Sequence, residues 1–103
     1  MSNKQRVSVL GGGSFGTVLA NLAASNGSNV ALWVRDSEQA LRINSEGANS
    51  IYHPELKLSD NIMASEDLYE VVKNADLIFI ATPSKIFEKI IIRISKIVKR
   101  DCY

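Results

Sequence analysis

Gly11, Gly13 and Gly16 stand at the G-x-G-x-x-G spacing, directly after the apolar run Val7-Ser8-Val9-Leu10 and directly before an apolar-rich helical pattern. Glycines in that setting hold phosphate. Gly11 permits a tight turn off a strand, Gly13 has no Cβ to keep a pyrophosphate away from the backbone, and Gly16 lets the helix pack closely on the strand. The ligand's negative charge then meets backbone N–H groups and the positive end of the helix dipole. The alternative is an ordinary glycine-rich turn, and the strand before and helix after argue against it.

A second candidate lies about 20 residues further on, where such a unit meets the ribose of an adenosine. The apolar run Asn29 to Val34 ends there on Arg35-Asp36. A carboxylate at this point binds the 2′-hydroxyl of NAD, whereas an arginine holds the 2′-phosphate of NADP or stacks on adenine. Asp36-Ser37-Glu38-Gln39 fits a helix capping box, so Asp36 is assigned to the cap and Arg35 to the ribose or adenine. That favours NADP, or use of both NADP and NAD, over strict NAD.

The remaining reactive side chains have structural readings. His53 is the sole histidine and lies in Ala48 to Asp60, a stretch with no period and a proline at 54. With no partner to orient it, it reads as a surface loop residue. Thr82-Pro83-Ser84 follows the apolar run Asp76 to Ala81, at the carboxyl edge where ligands of open α/β sheets bind. Pro83 ends that strand and Ser84 can cap the next helix, roles that need no ligand, and contact with the cofactor there stays open. Cys102 is the only cysteine, which excludes an internal disulfide and a cysteine metal site, and it reads as a small buried residue.

The elements that position these residues follow from hydrophobic period. Arg6 to Leu10 is a strand whose unbroken apolar character suits a central parallel position. A helix from Ser14 to about Asn26 carries Val18, Leu19, Leu22 and Ala23 on one face, with Gly27 as its stop. After the second strand, a helix capped by Asp36 runs through about Ser45 and stops at Gly47. Asn61 to Ala64 is a short third strand. Ser65-Glu66-Asp67 opens a helix with Leu68, Val71, Val72 and Ala75 at helical spacing. The last helix, Lys85 to about Lys99, sets Ile86, Phe87, Ile90, Ile91, Ile94, Ile97 and Val98 against six basic residues, a solvated face rather than a nucleic-acid surface.

The order βαβαβαβα is that of an α/β, Rossmann-like, doubly wound parallel sheet. At 103 residues, 46% hydrophobic and 22% charged, the chain has room for about half such a sheet, the N-terminal part of a larger domain. The net charge of +1 provides no global attraction for nucleic acid or anionic lipid. No apolar run approaches the roughly 20 residues of a membrane span and no signal-peptide core precedes the first strand, so the expected location is the cytoplasm.

Five segments in order resemble bacterial NAD(P)-dependent glycerol-3-phosphate dehydrogenase: Gly11 to Ala20, Leu32-Trp33-Val34-Arg35, Asn49 to Pro54, Ser65-Glu66-Asp67-Leu68, and Ala81-Thr82-Pro83-Ser84. The family's usual forms are G-x-G-S-[WYF]-G-T-A-L-A, L-W-x-R, N-x-x-Y-L-P and V-P-S, and the resemblance covers essentially the whole chain. It implies hydride transfer between NAD(P)H and dihydroxyacetone phosphate, giving sn-glycerol 3-phosphate for phospholipid synthesis. By matching position it implies cofactor contacts from Ser14 and Phe15, from Arg35 at the adenosine end and from Tyr52 in the loop. Ile86 takes a place where relatives put an aromatic near the nicotinamide. His53 stands where leucine is common, and Val18 replaces an alanine.

In that family the next strand leads into a T-K-G segment with a catalytic lysine, and the substrate residues lie in a helical C-terminal domain. The expectation is therefore a cofactor cradle with no catalytic group. Alone it would bind cofactor weakly or not at all, and would turn nothing over. A phosphorylated substrate would belong only to the full-length enzyme, and a homo-oligomer stays open. Two other readings remain: another two-domain dehydrogenase, such as a 3-hydroxyacid dehydrogenase, and a non-catalytic nucleotide-sensing module. A half-sheet is also expected to expose an apolar edge.

Overall fold

The computed structural model describes residues 5–47, 57–82, 84–98 and 102. Strands and helices alternate along them: β1 Arg6–Leu10, α1 Ser14–Ser25, β2 Asn29–Trp33, α2 Ser37–Glu46, β3 Ile62–Ser65, α3 Leu68–Val72, β4 Leu77–Ile80 and α4 Ser84–Ile94. The strands form one parallel sheet in the order β3-β2-β1-β4. Val9 of β1 stands opposite Leu32 on one side and Phe79 on the other, so β1 is central, as its apolar run predicts.

Alternation along the strands divides the core between the two faces of the sheet. Val7, Val9, Val30 and Leu32 pack with Ala20 and Ala24 of α1 and Ala40 and Ile43 of α2. Leu10 and Trp33 pack on the other face with Leu68, Val71 and Val72 of α3 and Ile90 and Ile94 of α4. Val9, Leu10 and Leu32 are fully buried, each worth about 1.5–3 kcal/mol of transfer free energy. The indole N–H of Trp33 donates to the Glu66 carbonyl at 2.8 Å, fixing the end of β2 to the turn before α3.

Capping follows the expected pattern at α2, whereas α3 begins only at Leu68, with Asp67 as its cap and Ser65 still in β3. The Asp36 carboxylate accepts from the Glu38 N–H at 3.0 Å, and Gly47 closes α2 at φ 69° with its N–H on the Ile43 carbonyl. Asp67 accepts from the N–H groups of Tyr69 and Glu70. The Gln39 side chain of the α2 capping box also reaches out of that helix, to the Gly12 carbonyl.

Expectations at α1, at the last helix and at Cys102 are corrected. The buried stripe of α1 is Gly16, Thr17, Ala20 and Ala24; of the expected face, Leu19 and Ala23 pack partly buried against the core, while Leu22 is 58% exposed. The helix lies so close to β1 that only small residues fit between them, which overrides the hydrophobic spacing. The last helix ends at Ile94 rather than near Lys99, in a turn where the N–H groups of Ile97 and Val98 both reach the Ile94 carbonyl. Its Ile90 and Ile94 are buried, but Phe87 and Ile91 are exposed, because β4 is an outer strand of the described sheet. Ser84 is the first residue of α4 rather than the residue before it.

Cys102 is half-buried rather than buried, beside Ile78, Ile80, Ile91, Ile94 and Val98. Pro83 and the loop segment 48–56, with Tyr52, His53 and Pro54, lie outside the described residues. Among those described, no helix is long and apolar enough to cross a membrane.

Candidate functional site

The strand order reverses beside β1, with β2 and β3 to one side and β4 to the other. The carboxyl ends of β1 and β4 therefore flank a switch point, where open α/β sheets bind ligands. The glycine turn leaves β1 at this place.

Each glycine of the turn answers a different demand. Gly11 has φ +129°, and a Cβ there would lie 2.6 Å from the Ala81 carbonyl oxygen at the end of β4. A Cβ at Gly16 would overlap the Gly11 carbonyl oxygen, so this glycine sets the close approach of α1 to β1. Gly12 is confined too: its Cβ would collide with Val34 and come within 2.9 Å of the Gln39 amide nitrogen. Gly13 differs from all of these. Its φ of −76° and ψ of −171° suit any residue, and a Cβ there meets nothing within 4 Å. The protein itself does not require glycine at 13.

Two side chains hold the turn in shape. The Gln39 Nε2 donates to the Gly12 carbonyl at 3.0 Å from the first turn of α2. The Thr17 hydroxyl, fully buried, donates to the Gly13 carbonyl at 2.7 Å. Neither was singled out from sequence. The capping-box reading absorbed Gln39, and Thr17 carries a signal only in its position four residues after Gly13, where a hydroxyl can bond back to a carbonyl.

The turn forms the floor of a cleft of about 560 Å³, lined by residues 11–16 with Trp33, Arg35, Gln39, Ala81, Thr82 and Ile86. Ser14 and Phe15 are exposed at its mouth, Phe15 by 68%. Arg35 lies at the β2 end, exposed and without a salt bridge among the described residues. Thr82 and Ile86 lie at the β4 end. No side chain caps α1, and its first turn holds no acidic residue. Arg35 is the one charged group among the described lining, so the cleft's field is positive. The structure thus brings together Gly11, Gly13, Ser14, Phe15, Gly16 and Arg35, while Tyr52 is outside the described residues.

A glycine turn entering a helix at the switch point of a parallel sheet, with an arginine at the end of the next strand, defines a Rossmann-type nucleotide-binding unit. The chain belongs to the NAD-dependent glycerol-3-phosphate dehydrogenase family: residues 6–103 match the family described as the N-terminus of that enzyme. It is 42% identical over 95 residues to a glycerol-3-phosphate dehydrogenase, NAD(P)+, of Teredinibacter turnerae, covering 92% of this chain and 28% of that one. With the enzyme of the same description from Acinetobacter baylyi it shares 46% identity over 90 residues, covering 87% and 25% respectively. A crystal structure of glycerol-3-phosphate dehydrogenase from Coxiella burnetii superposes with a TM-score of 0.88 at 30% identity, over 96% of this chain and 30% of that one. The chain spans about a quarter of the length of the curated relatives it matches.

Proposed function

We propose that this chain is the cofactor-binding part of an NAD(P)-dependent glycerol-3-phosphate dehydrogenase, which interconverts sn-glycerol 3-phosphate and dihydroxyacetone phosphate and supplies the glycerol phosphate backbone of phospholipids. The observation that carries this is Gly13. The fold leaves its side-chain position open on the wall of the cleft, whereas Gly11 and Gly16 are required by packing. A pyrophosphate lying against the turn explains glycine at 13, and its charge suits the uncapped start of α1.

When bound, NAD(P)H supplies the hydride. The chain's own residues orient it: the turn receives the pyrophosphate, Ser14 and Phe15 flank it, and Arg35 meets the adenosine ribose or its 2′-phosphate. The described lining holds no lysine, histidine or carboxylate to polarise a carbonyl or move a proton. In this reading the chain is a cradle that positions the cofactor. Both NADP and NAD are its cofactors in this reading, and the enzyme works in the cytoplasm.

The test is titration of the chain with NADPH and NADH, followed by calorimetry and, at millimolar ligand, by the rise in melting temperature that binding to the folded state imposes. Both nucleotides are expected to bind weakly, with dissociation constants on the order of millimolar, and dihydroxyacetone phosphate reduction is expected to be absent. Failure of both to bind, or measurable turnover by this chain, contradicts the proposal.

A further inference from the structure

Ser8, Thr17 and Thr82 have hydroxyls buried in the sheet and around the turn, and two of the three are paired. Ser8 donates to the Val71 carbonyl and Thr17 to the Gly13 carbonyl. The Thr82 Oγ1 is shielded from solvent and has no hydrogen-bond partner among the described residues. A buried unpaired hydroxyl is a standing cost, and valine would fill the same volume without it. The feature sits in the cleft, directly after β4, with the Thr82 backbone against Gly11.

The cleft has a direction. Arg35 marks its β2 end, the glycine turn its middle, and Thr82 with Ile86 its β4 end. A dinucleotide laid with its pyrophosphate on the turn and its adenosine toward Arg35 puts its second nucleoside beside Thr82. We propose that the Thr82 hydroxyl is a specificity-determining contact for that second nucleoside, unpaired in the empty cleft and paired by a ribose hydroxyl or carboxamide of the ligand. This rests on the dinucleotide reading above. A threonine hydroxyl both donates and accepts, and a single χ1 step carries it from one side of Cβ to another, so it serves either group. Pairing on binding turns an intrinsic cost of the empty protein into affinity for the half of the ligand that carries the reacting ring.

The experiment compares wild type, Thr82→Val and Thr82→Ser by melting temperature without ligand and by titration with NADH, ADP-ribose and ADP. Thr82→Val is expected to melt about 4 °C higher without ligand and to bind NADH about fivefold to tenfold more weakly. Its ADP affinity is unchanged, and Thr82→Ser keeps NADH affinity within about twofold of wild type. A matching loss for ADP-ribose assigns the contact to the ribose; a loss confined to NADH assigns it to the carboxamide. Undiminished NADH affinity in Thr82→Val, or a lower melting temperature without ligand, overturns the inference while leaving the dinucleotide site standing. Absence of NADH binding by wild type instead overturns that site, and this inference with it.

Discussion

The Gln39 side-chain amide donates to the Gly12 carbonyl at 3.0 Å, so α2 holds the glycine turn that ends β1. The two residues are 27 positions apart, and the bond links the element after Arg35 to the phosphate turn. Gln39→Met keeps the packing and removes the donor. NADH affinity is expected to fall about threefold to fivefold, with a loss of about 1 kcal/mol in stability. Unchanged affinity, measured by titration, contradicts the clamp.

Arg35 is exposed at the adenosine end and has no salt bridge among the described residues, so removing it disturbs no internal ion pair there. Arg35→Ala is expected to weaken NADPH about tenfold through loss of a charge-assisted contact, and NADH far less. The NADPH difference shrinks as salt is raised, because the site is open to solvent. Equal losses for both nucleotides would move Arg35 from the 2′-phosphate to the adenine ring.

Gly16 is a packing glycine, and its substitution acts on the fold. The added Cβ of Gly16→Ala meets the Gly11 backbone, which cannot swing aside as a flexible side chain does. A loss of roughly 3 kcal/mol is expected, lowering the melting temperature by more than about 10 °C. A variant that melts like wild type would show that α1 can stand further from β1.

Asp67 caps a helix of five residues, which has few internal hydrogen bonds of its own. Its carboxylate accepts from Tyr69 and Glu70, and Leu68, Val71 and Val72 of that helix form much of the core on this face. Asp67→Ala is expected to cost about 1 kcal/mol, seen as a fall of about 4–8 °C in melting temperature. No change would assign the helix to packing alone.

Much of this was legible in sequence because local signals agreed with tertiary demand. β1 matches its expected span Arg6 to Leu10, and Asp36 and Gly47 bound α2 where side-chain chemistry says they should. The buried face of α1 was not legible: hydrophobic spacing points to Leu22, but contact with β1 demands small residues, and Gly16, Ala20 and Ala24 won. The exposure of Phe87 and Ile91 depends on what lies beyond β4, which their own helix does not encode. At the site, the glycine spacing pointed to the turn, yet it could not separate Gly13 from Gly11 and Gly16, because the distinction lies in how close other backbone comes. Gln39 was hidden for a similar reason, whereas Thr82 was placed at the ligand edge of the sheet without its unpaired hydroxyl being foreseen. Gln39 has a plausible local role, and only the sheet order brings it to the cleft.

The most direct measurement is NADH titration of Gly13→Ala beside its melting curve. The backbone at 13 suits alanine and the space around its Cβ is empty, so the melting temperature should stay within about 2 °C of wild type or rise slightly. The same methyl group stands where the pyrophosphate must approach, and NADH affinity should fall by more than about tenfold. A folded Gly13→Ala that binds NADH as wild type does would contradict the account, for the cleft would not be a phosphate cradle.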